Sequence, residues 1–293
     1  MATTTGTARA GSDLPQVVRE PVNRMHVALH VLLIAGSAVM LLPFFWMLST
    51  SLKYPPEIFT YPPTWIPNTI AWDNYPNALT AVPFDRYYLN SLIIAVSVVV
   101  LQLTTSSLSA FAFARLRFAG RDKLFTVWLA TLMIPFPVLL IPNFVIVRSL
   151  GWYDSYQALI IPPAFSAFST FLLRQHYRGI PLEMDDAARI DGASSFRIWW
   201  QIMLPMSKTT LAAVAIFVFL GSWNEFLWPL VITYRDEMRT IPVGLSKFQG
   251  QFNTRWELLM AGAVTAMLPI LIVYMMAQKW FIRGITITGM GGR

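Results

Sequence analysis

Glu183-Met184-Asp185-Asp186-Ala187-Ala188-Arg189-Ile190-Asp191-Gly192-Ala193, with nine residues between Gly192 and Ile202-Met203-Leu204-Pro205, is a charged island between long apolar runs. Its residues predict two short helices joined by a hard turn. Pro181 suits a first helical turn, and Glu183, Asp185 and Asp186 suit the positive end of a helix. Gly192 suits its left-handed stop, so a positive φ is expected there. Ala187 and Ala188 leave a bare surface on which another backbone can close. A second helix is predicted to start at Ser194 or Ser195, to set Phe196, Trp199, Trp200 and Met203 along one apolar stripe, and to end at Pro205. The two make a compact knob suited to a partner's groove. The other use of such a hairpin, lying flat on lipid, is opposed by its acidic clusters, which anionic headgroups repel.

Outside this island the chain is far more apolar than a soluble domain. Of its 293 residues 55% are hydrophobic and 13% charged, and the mean hydropathy is +0.52. Charge-free stretches run over residues 25–52, 87–114, 124–147, 155–173 and 258–278, and a sixth, 209–234, is interrupted only by Glu225. Each can cross a hydrocarbon core of ~30 Å, which takes about 20 residues at ~1.5 Å each. The expected fold is therefore all-α, an integral membrane protein of six transmembrane helices. Residues 1–24 are small and polar and read as a disordered tail, not a cleaved leader, because the apolar run that follows is too long for one.

Six spans place both termini on one side, and the basic residues choose it. Fifteen of the 22 Lys and Arg fall on one face: Arg9, Arg19 and Arg24; Arg115, Arg117, Arg121 and Lys123; Arg174, Arg178, Arg189, Arg197 and Lys208; Lys279, Arg283 and Arg293. That face, holding both termini and the Asp186 loop, is expected to be cytoplasmic. The net charge of +7 then reports topology and gives no reason to expect a nucleic-acid partner. There is no cysteine, hence no disulfide framework or thiolate chemistry. The opposite loop, residues 53–86, carries seven prolines among Tyr54, Tyr61, Trp65, Trp72 and Tyr75; proline at that density opposes regular helix. It reads either as an aromatic cap at the membrane interface or as a docking surface for an external partner.

Polar groups inside the spans are the candidates for a solute path, because a bare one in lipid is costly. Gln102 and Ser106 on the second span, Asn143 on the third, and Trp223, Asn224 and Glu225 on the fifth form this set. Glu225 reads equally as a path residue or as a hydrogen-bonding anchor. Pro135, Pro137 and Pro142 are expected to bend the third span around its neighbours, the other reading being that the carbonyls they free line a wet path. No Gly-x-x-x-x-Gly-Lys-Ser/Thr motif occurs, so no nucleotide hydrolysis is expected of this chain, and no catalytic or metal-binding set is proposed from the sequence. A membrane prenyl-transfer enzyme holding Mg²⁺ on Asp185, Asp186 and Asp191 would need a second aspartate cluster facing the first. A secondary transporter would be expected to show internal repeats and midplane charges. The sequence supplies neither.

An acid-Ala-Ala triplet, three residues, a glycine, nine residues and Ile-x-Leu-Pro resembles the EAA loop of bacterial ABC-importer permeases, with Asp186 in place of the first Glu. Ser222-Trp223-Asn224-Glu225-Phe226-Leu227-Trp228-Pro229-Leu230 and Phe281-Ile282-Arg283-Gly284 extend the resemblance to the MalG-like permeases of carbohydrate importers, from about residue 25 onward. The resemblance implies a type-1 importer permease: tail 1–24, six-helix domain 25–283 with a core over about 86–281, outer loop 53–86, coupling loop 181–205 and a Gly-rich cytoplasmic tail 284–293. It implies that Glu183, Asp186, Ala187, Ala188, Asp191, Gly192, Ala193, Ile202, Leu204 and Pro205 form the coupling element. It also implies a second permease subunit, two ATPase subunits that bind the ATP and Mg²⁺, and an extracytoplasmic solute-binding protein, all at the bacterial inner membrane. This chain is then a non-catalytic subunit that binds no cofactor, and its solute is a sugar, an oligosaccharide or a relative such as glycerol phosphate.

Overall fold

A computed structural model describes residues 24–250 and 253–289, with side chains described between 25 and 278. The tail expected over residues 1–24 lies, up to residue 23, outside the described residues, as do the last four residues of the chain. Among the described residues the backbone is helical and irregular, with one isolated antiparallel bridge, Gln249 to Thr254, and no named strand.

Three helices are long and apolar enough to cross a membrane unbroken: α1 (Arg24–Ser51), α2 (Phe84–Arg115) and the last helix, Trp256–Gly289. Along α1 every side chain from Met25 to Phe45 is exposed and apolar residues occur all round it, as suits a helix surrounded by lipid. As far as Trp46 it forms a unit of its own. The rest of the chain packs as a second unit around α2.

The other spans are broken, and only the bend of the third was expected from the sequence. The run over 124–147 divides into α3 (Arg121–Ala130) and α4 (Phe136–Ser149), which meet at 103°. Pro135 makes that corner, holding Ile134 before it extended at φ −89° and ψ 113°, and Pro137 sits in the first turn of α4, where a missing N–H costs nothing. The next run divides into α5 (Tyr156–Ile160), extended by a 3-10 turn over Pro162–Ala164, and α6 (Ala167–Arg178), with a 40° bend at Phe165 and Ser166. Ser155 and Ser166 restart the backbone by accepting from the N–H groups of Ala158 and Ser169 at 3.5 and 3.2 Å. Beyond α6 come the two short helices of the island, α7 (Glu183–Ile190) and α8 (Ser195–Ile198). The fifth run, expected as one span over 209–234, is instead α9 (Lys208–Asn224) and α10 (Leu227–Ile232), separated at Glu225 and Phe226. The final helix, α11, continues through residue 289, past the point where the sequence places the start of the tail.

Three buried clusters run along α2. Phe84, Tyr87 and Ala95 join α9 and α11 through Phe219, Trp223 and Leu258. Ile94 and Val98 join α4, α5 and α10 through Val147, Leu159, Trp228 and Ile232. Ala110 and Phe111 join α6 and the island through Leu173, Tyr177, Ile198, Trp199 and Met203. The proline-rich loop does contain helix, correcting the sequence reading: Pro55–Ile58 and Asn74–Ala81 are short helices, with Pro55 and Pro56 in a first turn where a missing N–H costs nothing. It is tied down by Ser49 donating to the Trp65 carbonyl, Asn74 to those of Ser51 and Lys53, and the buried Lys53 ammonium to that of Thr64. Asp154, in the left-handed region at φ 57°, accepts from the backbone of Tyr234 and from the Arg235 guanidinium, joining the start of α5 to the end of α10. Burial alone raises the Asp154 carboxyl, but these donors together hold it below the usual carboxylate range.

Candidate functional site

The island folds as its residues predict, with one rotation. The N–H groups of Asp185 and Asp186 both reach the Leu182 carbonyl, opening α7, and Gly192 closes it at φ 78°. The N–H of Gly192 returns to Arg189 and that of Ala193 to Ala188, at 3.0 and 2.9 Å, so the last carbonyls of α7 are satisfied. Ser194 then caps α8, its hydroxyl accepting from the N–H of Arg197. Past Ile198 the helix widens into an i→i+5 turn over Trp199–Met203 before Leu204–Met206, just ahead of Pro205, which has no N–H to give.

The inward stripe is turned by roughly a quarter of a revolution from the predicted one at 3.6 residues per turn. Trp199 and Met203 are buried as expected, but Ile198 replaces Phe196 and Trp200 on the inward face. Phe196 and Trp200 are instead 65% and 60% exposed, and Ile190 of α7 is 87% exposed. The residues read as the coupling set divide in the same way. Glu183, Asp186, Ala187, Asp191, Gly192 and Pro205 are exposed, whereas Ala188, Ala193, Ile202 and Leu204 pack against the buried base.

What the sequence reading missed is how the hairpin is fastened. Arg115, the last residue of α2, is buried and donates through one guanidinium nitrogen to the carbonyls of Tyr177 and Ile180 at 2.7 and 2.6 Å. Its Nε lies 3.5 Å from Oδ2 of Asp185, on side chains only 1% and 5% exposed. Burial pushes the Asp185 carboxyl upward and Arg115 offsets part of that. The signal available in the sequence was spacing: Asp185 lies three residues before Ala188 and so shares its inward face. With Asp185 turned toward Arg115 and both Asp186 and Asp191 exposed, the three carboxylates do not converge as a Mg²⁺ site would need.

A cavity of about 600 Å³ opens among α2, α4, α6 and α9, where the bends withdraw helix from the packing. Phe136, Phe165, Phe168 and Phe217 supply ring faces, and Gln102, Asn143, Ser166, Ser169, Ser222, Glu225 and Thr240 supply polar groups. The Gln102 amide donates to the Ser169 hydroxyl at 2.7 Å, which fixes its orientation and leaves its oxygen to accept. One Glu225 oxygen accepts from the Trp228 N–H at 3.1 Å and so starts α10; the side chain is otherwise exposed on the cavity wall. Glu225 thus starts α10 by its hydrogen bond and lines the cavity as well.

Of the six path candidates, Gln102, Asn143 and Glu225 line this cavity and three do not. Trp223 is buried, donates to the Ala266 carbonyl at 3.2 Å and stacks on Phe219 at 5.5 Å; its large apolar ring is held by the core. Asn224 turns back to the Leu220 carbonyl, as the last residue of a helix readily does. Ser106 is 1% exposed, inside the packing of α2 and away from the cavity wall.

Comparison with known proteins fits this architecture. Residues 102–287 match the family described as binding-protein-dependent transport system inner membrane component. The chain belongs to that family. This permease is 35% identical over 264 residues, 87% of its own length and 94% of the relative's, to the sn-glycerol-3-phosphate transport system permease protein UgpE of Yersinia pestis bv. Antiqua. It is 38% identical over 227 residues, 77% of its length and 81% of the relative's, to the arabinooligosaccharides transport system permease protein AraQ of Halalkalibacterium halodurans. Its fold superposes with a TM-score of 0.79, at 25% identity and over 88% of this chain and 96% of the other, on a bacterial ABC transporter involved in import of the acidic polysaccharide alginate. The chain is thus a multi-pass importer permease of the type-1 fold, as the Asp186 loop implied.

Proposed function

We propose that this permease forms half of a solute path through the bacterial inner membrane and that its α7–α8 hairpin is the cytoplasmic seat of a separate ATPase subunit. The observation that carries this reading is the outward face of the hairpin. Ile190, Phe196 and Trp200 expose apolar surface on a hairpin that also exposes the acids Glu183, Asp186 and Asp191, while Ile198, Trp199 and Met203 pack inward on the transmembrane base. An apolar centre with a charged rim is how protein interfaces are built, and it calls for a partner groove with apolar walls and basic edges. ATP and Mg²⁺ belong to that partner. A second permease subunit completes the path, a second ATPase subunit pairs with the first, and a solute-binding protein delivers cargo to the proline-rich face. Both termini are then cytoplasmic.

The cavity supports a carbohydrate as cargo and favours an uncharged one. Its phenylalanines offer faces for the C–H surfaces of a sugar, and its amides, hydroxyls and carboxylate offer partners for sugar hydroxyls. No Lys, Arg or His lines it, and Glu225 repels an anion in a low-dielectric setting. This resembles the needs of an arabinooligosaccharide more than those of glycerol phosphate or alginate.

Transport by the complete importer in proteoliposomes tests the role of Glu225. Glu225→Gln keeps the shape and an acceptor for Trp228 while removing the charge. It is expected to express normally and to improve uptake of anionic over neutral solutes roughly tenfold, equivalent to ~1.4 kcal/mol. Unchanged transport by Glu225→Gln, together with failed assembly of Glu225→Leu, would reduce the residue to a helix anchor.

A further inference from the structure

Arg115 joins three elements at one point. As the last residue of α2 it places two short hydrogen bonds on the corner where α6 ends and α7 is about to start, at the carbonyls of Tyr177 and Ile180. Those oxygens lie at the negative end of α6, where intrahelical donors have run out. Toward α7 its hold is looser, a charge contact of 3.5 Å to Asp185 whose other oxygen, Oδ1, makes no hydrogen bond. The guanidinium is therefore fixed on one side and compliant on the other. About 20 Å further along α2, at ~1.5 Å per residue, Gln102 is bonded to Ser169 on α6. Arg115 and Gln102 tie the same two helices at separate heights, and both helices carry walls of the cavity.

We propose that Arg115 is a positioning residue for transport, transmitting displacement of the docking hairpin to α2 and α6 as one body through its contact with Asp185. This rests on the reading of α7–α8 as the ATPase seat. A buried ion pair is a poor source of stability, because desolvation cancels most of its attraction, and apolar residues could close the same space. What a charge pair supplies that apolar packing does not is a directed tether that survives a change of tilt. The apolar contacts of Ile198, Trp199 and Met203 hold α8; the Asp185 tether limits how far α7 can swing about the Gly192 joint.

The test uses the complete importer, purified through this chain and reconstituted, with ATP or with ADP and vanadate. Spin labels on Arg117→Cys and Arg189→Cys report the tilt of α7 against α2, and maleimide reaction of Ser222→Cys reports the cavity. The parent should show one narrow distance in each state and at least a fivefold change in Ser222→Cys reactivity between them. Arg115→Met with Asp185→Leu, which removes both charges together, should keep the ATPase bound and hydrolysing. Its trapped-state distances should broaden, and the reactivity change should fall below twofold. Asp185→Glu alone should keep the parent behaviour. Narrow distances with a full reactivity change in the double variant would overturn the proposal. Loss of the ATPase from the double variant would overturn it too, because the pair would then build the seat and not transmit through it. Absence of any nucleotide-dependent change in the parent would overturn the coupling reading itself.

Discussion

Gly192→Val should strip the ATPase subunit from the purified complex, or leave it bound with hydrolysis uncoupled from transport, while the permease still reaches the membrane at near-normal levels. Gly192 sits at φ 78° with open space where a Cβ would go, so the obstacle is backbone geometry alone. A β-branched residue there carries strain of roughly 1–3 kcal/mol. The strain is relieved by opening the turn, which retracts the N–H groups of Gly192 and Ala193 from the end of α7 and re-angles the two short helices. The spans do not depend on that turn. Asp186→Lys reaches the same end by another route, reversing an exposed charge beside Ile190 without altering the hairpin. Both should lower either ATPase retention on affinity purification, measured against total permease, or solute transported per ATP hydrolysed, at least tenfold. Retention and transport equal to the parent in both variants would remove this loop as the coupling element.

Arg115→Met alone should destabilise the permease more than any surface change, by about 3–5 kcal/mol, the usual cost of leaving one member of a buried pair unmatched. Asp185 would be left nearly buried beside an apolar side chain, and the Tyr177 and Ile180 carbonyls would lose their donor. Adding Asp185→Leu should recover most of the loss, because the second change removes the stranded carboxyl. Thermal unfolding in detergent, followed on the two single variants and the double, measures this as a coupling energy. A double variant no more stable than Arg115→Met would show that the two side chains do not act on each other.

Much of this architecture is legible in the chain because the membrane imposes simple rules. The apolar runs over 25–52, 87–114 and 258–278, the prolines at 135 and 137, and a glycine after an acid-led helix are local signals, and each is realised where it stands. The contacts that matter at the site are not local. Arg115 and Asp185 are far apart in sequence and meet only because α2 packs along α6; an arginine closing a span looks like any other topological charge. Periodicity also failed at the second short helix: Ile198 and not Phe196 faces inward in its first turn, and an i→i+5 turn over Trp199–Met203 follows. Among intramembrane polar residues, composition could not separate Trp223 from Glu225, although one belongs to the core and the other to the cavity. The difference arises from the break after Asn224, which leaves Glu225 at the head of a new helix.

Side-specific labelling tests the central claim most directly, and a chain with no native cysteine is suited to it. Ser195→Cys, exposed on the hairpin, should react with an impermeant maleimide only in inside-out vesicles, at a rate reduced at least fivefold when the ATPase subunits are bound. Asn68→Cys, exposed on the proline-rich loop, should react only in right-side-out vesicles. Reaction of Ser195→Cys from the outer side, or a rate indifferent to the bound ATPase, would contradict the assignment of this hairpin as the cytoplasmic seat of the motor.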